Sequence, residues 1–465
     1  MSPRAGDATV AVLDLGKSNL KLSACTTAGA VVETLSLPTP SRPGPPWVHF
    51  DVGAMAEWLG AGLASLCRRH PLRDLVPVGH GSACALVGAE PEAPVLPVID
   101  YDQPLPEGLA AAYAPMAGAF RDRGSALMMG ATHVARQMVW AETAEPEGFA
   151  RARAVLGWPQ YWGWWLTGVA AAEVSYLGAQ THLWRVAEGV WSPLVAARGW
   201  GRLMPPVRAA GEVLGLLRAG VRARWGLPEI RVRVGAHDSS LSFHRYQAAG
   251  LRRIAVLSTG TWIVGLADGV RVEALEEARG MTLNADLAGR PLGGALCMGG
   301  RDYAAIAGDQ PAGARADGAA LARLVARGTM ALPAFGPDDG LFPGRAGKGC
   351  VVGPALEGAA ERHALAVLQV ALLTWTCGDV LAPGQDWVLD GSFLREPLFA
   401  PLVAALRGKG RVLVNDEPYG IAAGAALLCH EGAVPPLALE EAAPVDVPGL
   451  AGYAALWRAR AEGRA

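Results

Sequence analysis

Two α/β domains with a ligand cleft between them are what this sequence predicts. Three observations carry that expectation: the length, an internal repeat, and strand-like runs that end in polar turns. At 465 residues the chain exceeds what a single hydrophobic core serves well and suits two domains of ordinary size. The 59 glycines and 34 prolines indicate many loops between short elements, not a bundle of long helices.

The repeat comes first in chain order. Val10 to Leu22 read VAVLDLGKSNLKL, and Ile254 to Leu266 read IAVLSTGTWIVGL. They align without a gap, pairing Ala11 with Ala255, Val12 with Val256, Leu13 with Leu257, Gly16 with Gly260 and Leu22 with Leu266. Each is a run of β-formers, a glycine-containing polar turn and a second β-forming run, which predicts a hairpin opening each half. Later strands correspond as well. VPVGHGSA at Val76 and RVRVGAHDSS at Arg231 match DWVLDGSFLREP at Asp386 and RVLVNDEPYGIAAGAALL at Arg411. All are short apolar runs ending in polar turns, and in α/β domains such turns gather at one sheet edge, where ligands bind. Between them the stretch from Glu361, ERHALAVLQVALLTWTCGDVL, has the apolar spacing of a buried helix. The predicted boundary falls near Gln247, giving domains 1–247 and 248–465. WPQYWGWWLTG at Trp158 reads as a core or interdomain helix, with a sugar-stacking platform as the alternative.

Composition narrows the function classes. Hydrophobic residues make up 51% and charged residues 18%, and the net charge of -2 offers no clustered basic charge for nucleic acid. The seven cysteines are scattered without a C-x-x-C pair, as expected of reduced thiols in a cytoplasmic protein. An Asp interrupts the N-terminus before a signal-peptide core forms. No apolar run is expected to span a bilayer, so no membrane partner is expected.

Two turns carry candidate anion-binding chemistry. Glycine lets backbone N–H groups approach a phosphate closely. DLGKSN supplies Asp14, Gly16, Lys17 and Ser18, with Lys21 following, and STGTW supplies Ser258, Thr259, Gly260 and Thr261. Asp14 suits a hydrated Mg²⁺, a hard cation that keeps most of its waters. Lys17 and Lys21 are both near enough in sequence to meet a phosphate oxygen. Neither turn has the spacing of a P-loop. In VGAHDSSLSF, Asp238 follows a strand and precedes a helix start. It reads equally as a general base for a hydroxyl or as a helix N-cap.

DLGKSN, GAHDSS, STGTW and DGSFLREP, spread over nearly the whole chain, resemble the FGGY family of carbohydrate kinases, and within it the rhamnulose and fuculose kinase branch. The resemblance implies two ribonuclease-H-like domains of the actin and hexokinase type. It also implies transfer of the γ-phosphoryl group of ATP to a terminal hydroxyl of a ketose, with Mg²⁺. It makes Asp238 the catalytic base and Asp14 the aspartate near the metal. Lys21 takes the place of a phosphate-facing Arg, Thr261 that of a nucleotide-binding Thr, and Gly391 and Asn415 fall in the adenine-side loops. Gly81, Ser82 and His237 fall where members touch substrate, and PVIDYDQP stands in for the substrate loop, so Asp100 and Asp102 become candidate sugar ligands or turn caps. Two departures stand out: Lys17 replaces the usual Thr, and DGSF replaces the glycine-rich adenosine motif. The rival readings are an actin-like ATPase and a catalytically inactive sugar-binding regulator. The expected partner is a small sugar, and a homodimer is left open.

Overall fold

The computed structural model describes residues 7–310, 314–434 and 436–464. They form two compact units. The first comprises the N-terminal stretch to Gly250 together with Leu283–Pro291 and Tyr419–Pro436; the second holds Leu251–Thr282, Leu292–Pro418 and the C-terminal stretch from Leu437. The single changeover expected near Gln247 is therefore too simple, because two later segments return to the first unit. Neither carries a sequence break that would announce it.

In the first unit, strands β1 (Val10–Leu15) and β2 (Asn19–Cys25) form the expected antiparallel hairpin, with Asp14 opposite Lys21. Strand β3 (Val31–Pro38) extends it. Helix α1 (Val52–Cys67) starts where the Asp51 carboxylate accepts the Ala54 N–H at 3.1 Å, a cap that satisfies one of the orphan donors of a helix start. Strand β4 (Asp74–Gly79) returns parallel to β1. Helix α2 (Trp158–Thr167) is the tryptophan-rich segment, followed by the short α3 (Val174–Leu177). Strands β5 (Val213–Leu216), β6 (Arg231–Arg233) and β7 (Ala236–His237) complete a sheet ordered β5-β6-β4-β1-β2-β3, with β7 continuing along β4. Helix α4 (Asp238–Ala248) leaves directly from β7.

Between β6 and β7 the register slips. Val232 faces Leu75 but Ala236 faces Val78, four residues on one strand against three on the other. This bulge runs beside Pro77, which has no N–H to donate to a ladder, and proline within a sheet is tolerated at such irregularities. Gly235 sits in the bulge at φ 77°, and a Cβ there would lie 2.0 Å from the Pro77 carbonyl oxygen. No other residue fits.

Both faces of β1 are covered, and the strand period of two sorts its side chains. Leu13 and Leu15 join a large core with Leu59, Leu63, Trp158 and Trp162. The aromatic-rich segment is thus core: Trp158 is 0% exposed and stacks on Phe50 with ring centroids 5.2 Å apart. Val10 and Val12 face a smaller core made by Leu241 of α4 and Ala422, Ala425 and Ala426 of a later helix, Gly420–Ala426. There a Cβ on Gly424 would stand 2.0 Å from the Leu241 carbonyl oxygen, so the two helix backbones nearly touch.

The second unit repeats the scheme. Strands β8 (Ile254–Thr259) and β9 (Ile263–Ala267) form the second hairpin, and β10 (Pro291–Cys297) pairs with β9. Helix α5 (Gly299–Ala307) follows β10, and α6 (Gly358–Leu381) packs against both α5 and β9. Strand β11 (Asp386–Gly391) runs parallel to β8, and β12 (Val412–Val414) parallel to β11. The duplication extends to single ion pairs. Asp74 opens β4 and holds Arg231 at 2.7 Å and Arg233 at 2.8 Å. Asp386 opens β11 at the same register and holds Arg411.

The expectation that no apolar run reaches membrane-spanning length needs correcting. Among the described residues α6, at 24 residues, is long and apolar enough to cross a bilayer, but 83% of its apolar window is buried inside the protein. It is apolar all round because it is surrounded.

Candidate active site

Asp14 closes β1, and its carboxylate is nearly buried. Among the described residues its ion-pair partner is Lys21, with Nζ 3.8 Å from Oδ2. Burial pushes its pKa up to about 6; Lys21 opposes the rise and the charge of Asp238 adds to it. A cation at this position would relieve both burdens, so the residues present fit a hydrated Mg²⁺ held through one or two carboxylates. Among the described residues no group of three or more His, Cys, Asp or Glu forms a metal cage, and hydrated Mg²⁺ does not require one.

Asp238 is the first residue of α4 and is partly open to solvent. Its Oδ1 accepts the N–H and, at 3.0 Å, the hydroxyl of Ser239. The His237 Nε2 lies 3.2 Å from the same oxygen. Ser240 Oγ donates to the Ala285 carbonyl at 3.0 Å and so accepts from His237 Nδ1 at 3.1 Å. That leaves Nε2 as an acceptor facing Asp238. Burial holds the His237 pKa below its usual value, against the pull of Asp238. Behind it, the His237 N–H donates to Ser175 Oγ at 3.2 Å, and Ser175 Oγ donates to Glu173 at 2.6 Å. Glu173 also accepts the N–H groups of Ser175 and Tyr176. Burial nonetheless raises its pKa to about 7 against those donors, and Asp286 adds to the rise.

The Lys17 ammonium is paired with a carboxylate. Its Nζ sits 2.6 Å from both oxygens of Asp100 and 5.7 Å from the ring centroids of Phe50 and Tyr101. Asp100 also caps its own turn, its Oδ1 accepting the Asp102 N–H at 3.1 Å. Of the two uses offered for this loop, Asp100 shows the turn cap, while Asp102 itself is exposed. His80 packs edge-on against Tyr101 at 5.2 Å. Its Nδ1 accepts the Ser82 N–H at 3.3 Å, so Nε2 carries the proton, and that buried Nε2 has no partner among the described residues. Burial lowers the His80 pKa to about 4, with Asp238 and Asp100 opposing. The ring is a neutral donor. Gly81 lies against Ala179 and offers backbone only; the Ser82 carbonyl accepts from Gln137 at 2.9 Å. Ser18 is exposed and Gly16 half-buried in the hairpin turn, where the Gly16 carbonyl accepts the Thr39 hydroxyl at 2.7 Å. Sequence reasoning missed Phe50, His80, Tyr101 and the Glu173–Ser175 support. His80 and Tyr101 lay inside motifs already singled out, VPVGHGSA and PVIDYDQP.

In the second unit Ser258, Thr259, Gly260 and Thr261 end β8 and begin the hairpin turn. Thr259 is buried, and its hydroxyl donates to the Asp390 carbonyl at 2.9 Å; Thr261 is exposed. Gly391, at φ 101°, passes so close that a Cβ would stand 2.2 Å from the Thr259 carbonyl oxygen. Gly300, in the first turn of α5, donates its N–H to the Thr261 carbonyl at 3.1 Å, bringing a helix N-terminus against the turn. The Gly299–Gly300 pair was not anticipated, although a glycine pair after an apolar strand is a readable signal. Asn415 is buried, donates its N–H to the Leu389 carbonyl at 3.0 Å, and caps its own turn by accepting the Glu417 N–H at 3.1 Å.

Known proteins resemble the chain along nearly its whole length. Residues 9–243 match the N-terminal domain of the FGGY family of carbohydrate kinases, and residues 252–436 match the FGGY carbohydrate kinase C-terminal domain. An L-fuculokinase of Haemophilus influenzae is 29% identical over 130 residues, 28% of this chain and 27% of that protein. A carbohydrate kinase from Novosphingobium aromaticivorans is 29% identical and superposes with a TM-score of 0.86, over 98% of this chain and 99% of its own. A xylulose kinase from Rhodospirillum rubrum, 21% identical, shares the fold with a TM-score of 0.75 over 96% of each chain. The mixed α/β fold in two units and the two successive domain matches agree, and the chain belongs to the FGGY family of carbohydrate kinases.

Proposed function

We propose that this protein transfers the γ-phosphoryl group of ATP to a hydroxyl of a ketose, with Asp238 as the general base. One observation carries the reading. Asp238 Oδ1 is engaged by Ser239 and faces His237, whereas Oδ2 accepts nothing among the described residues and is free for a substrate proton. As the hydroxyl attacks phosphorus its proton passes to Oδ2. Protonation leaves the carboxyl neutral and relieves the repulsion between Oδ1 and the lone pair on the His237 Nε2, 3.2 Å away. The neutral His80 Nε2–H is a second contact, donating to a sugar oxygen. Asp14 would hold Mg²⁺, and when bound the ion would neutralise charge on the transferring phosphoryl group. Gly16 and Lys21 on one turn, and Ser258, Gly260 and Thr261 on the other, are proposed phosphate neighbours; Gly391 and Asn415 shape the proposed adenine side. The resemblance to the fuculose and rhamnulose kinases favours a deoxy-ketose acceptor.

A coupled ADP-release assay over a panel of ketoses and polyols tests this. ADP release is expected to be slow without sugar and to rise strongly with L-fuculose's ketose, L-rhamnulose or a related ketopentose. ATP hydrolysis that no sugar stimulates would overturn the reading.

A further inference from the structure

Lys17 stands on the DLGKSN turn, yet its ammonium belongs to another group of residues. Two of its contacts are the oxygens of Asp100 at 2.6 Å, and the rings of Phe50 and Tyr101 flank it. The same two rings flank His80, at 6.0 and 5.2 Å. Asp100 is almost fully buried, with a side chain 4% exposed, whereas the Lys17 side chain is 30% exposed. The carboxylate is therefore the holder and the ammonium the group that is presented. An ammonium has three donors, and Asp100 uses at most two of them. At least one N–H remains, and the His80 Nε2–H flanked by the same two rings has no partner among the described residues.

We infer that Lys17, held by Asp100, reads an oxygen of the acceptor sugar and restricts the acceptor to neutral sugars. This rests on the kinase reading above and adds the substrate class. The charge of Lys17 is cancelled by a carboxylate in direct contact, so an acidic sugar gains no net attraction there. A neutral hydroxyl or carbonyl oxygen still accepts a strong, charge-assisted hydrogen bond. Phe50 and Tyr101, each with its ring centroid 5.7 Å from Nζ, add a cation–π attraction that helps hold the ammonium in place. Lys17 is thus a specificity residue and Asp100 a positioning residue.

The test compares xylulose, a neutral ketose, with gluconate, an acidic sugar, on wild type, Lys17→Met, Lys17→Arg and Asp100→Asn. Sugar binding is measured by calorimetry without nucleotide, and turnover by ADP release. Lys17→Met is expected to weaken xylulose binding and raise its KM roughly tenfold or more, the usual scale for loss of a charged hydrogen bond. The KM for ATP should stay within about twofold, since the contact is to the sugar. Lys17→Arg should recover part of the loss. Asp100→Asn keeps the acceptor for the Asp102 N–H but uncovers the charge, so the gluconate-to-xylulose preference should rise by about tenfold or more. An unchanged xylulose affinity in Lys17→Met, or a rise in the ATP KM instead, would overturn the inference and return Lys17 to the phosphate side. Gluconate bound by wild type more tightly than xylulose would also overturn it. If xylulose binds and responds to Lys17→Met but stimulates no turnover, the kinase reading fails and the binding inference stands.

Discussion

Asp238→Asn keeps the size of the side chain and the contacts to Ser239 while removing the site that accepts a proton. General-base catalysis typically contributes about 10²–10⁴ in rate, so kcat should fall over that range, roughly 3–5 kcal/mol of barrier. The N-cap of α4 is His237, not Asp238, and Asn keeps the oxygen that accepts from Ser239, so the melting temperature should hold. A stable variant with near-normal kcat would leave Asp238 with that contact at the helix start alone. A second residue sets a pH dependence. Glu173 is 0% exposed and its pKa rises from an ordinary 4.5 to about 7. A raised carboxylate contributes stability that is fully present below about 4.5 and is lost as pH rises through about 7. The loss is on the order of 2–4 kcal/mol, and Asp14 acts in the same direction up to about 6. Unfolding measured from pH 4 to pH 8 should show the decline, and Glu173→Gln should flatten it; an unchanged slope would mean that solvent reaches Glu173. At this scale sequence reading saw the acid at 238 because it ends a strand. It missed Phe50 and Tyr101, because proximity to Lys17 across dozens of residues leaves no local pattern.

Helix–helix contact decides what elements tolerate. Gly424 lies against the Leu241 carbonyl with no room for a methyl group, so Gly424→Ala should destabilise by roughly 1–3 kcal/mol, the usual range for overpacking. Calorimetry on that variant checks it, and Gly432→Ala, where no atom lies within 4 Å but φ is 102°, separates packing from backbone strain. The hairpins, the parallel returns at Val76 and Asp386, and helix α6 were legible because alternation and helical spacing are local signals. The slip between β6 and β7 was not. A bulge depends on the neighbouring strand, and only the combination of Pro77 with Gly235 explains it.

The whole chain holds seven cysteines, of which Cys350 is exposed, Cys67 and Cys429 are half-buried, and Cys25, Cys84, Cys297 and Cys377 are buried. Titration with a thiol reagent under native conditions should show one fast group, two slower ones and four that react only after unfolding. More than one fast thiol would mean that the buried strands open readily. The return of Leu283–Pro291 and Tyr419–Pro436 to the first unit escaped the sequence because both segments have the ordinary composition of their surroundings. The duplication was legible down to paired motifs, RVRVGAHD against RVLVND. The first copy carries the bulge at Gly235, four residues against three on β4, whereas β12 pairs with β11 without a slip. Because side chains alternate along a strand, an insertion of one inverts the phase of everything after it. The residues from Ala236 on therefore face the opposite side of the sheet from the one a direct continuation of β6 would give them. RVLVND is two residues shorter than RVRVGAHD, so grafting it would remove the bulge together with the Ala236–His237 strand that leads into α4.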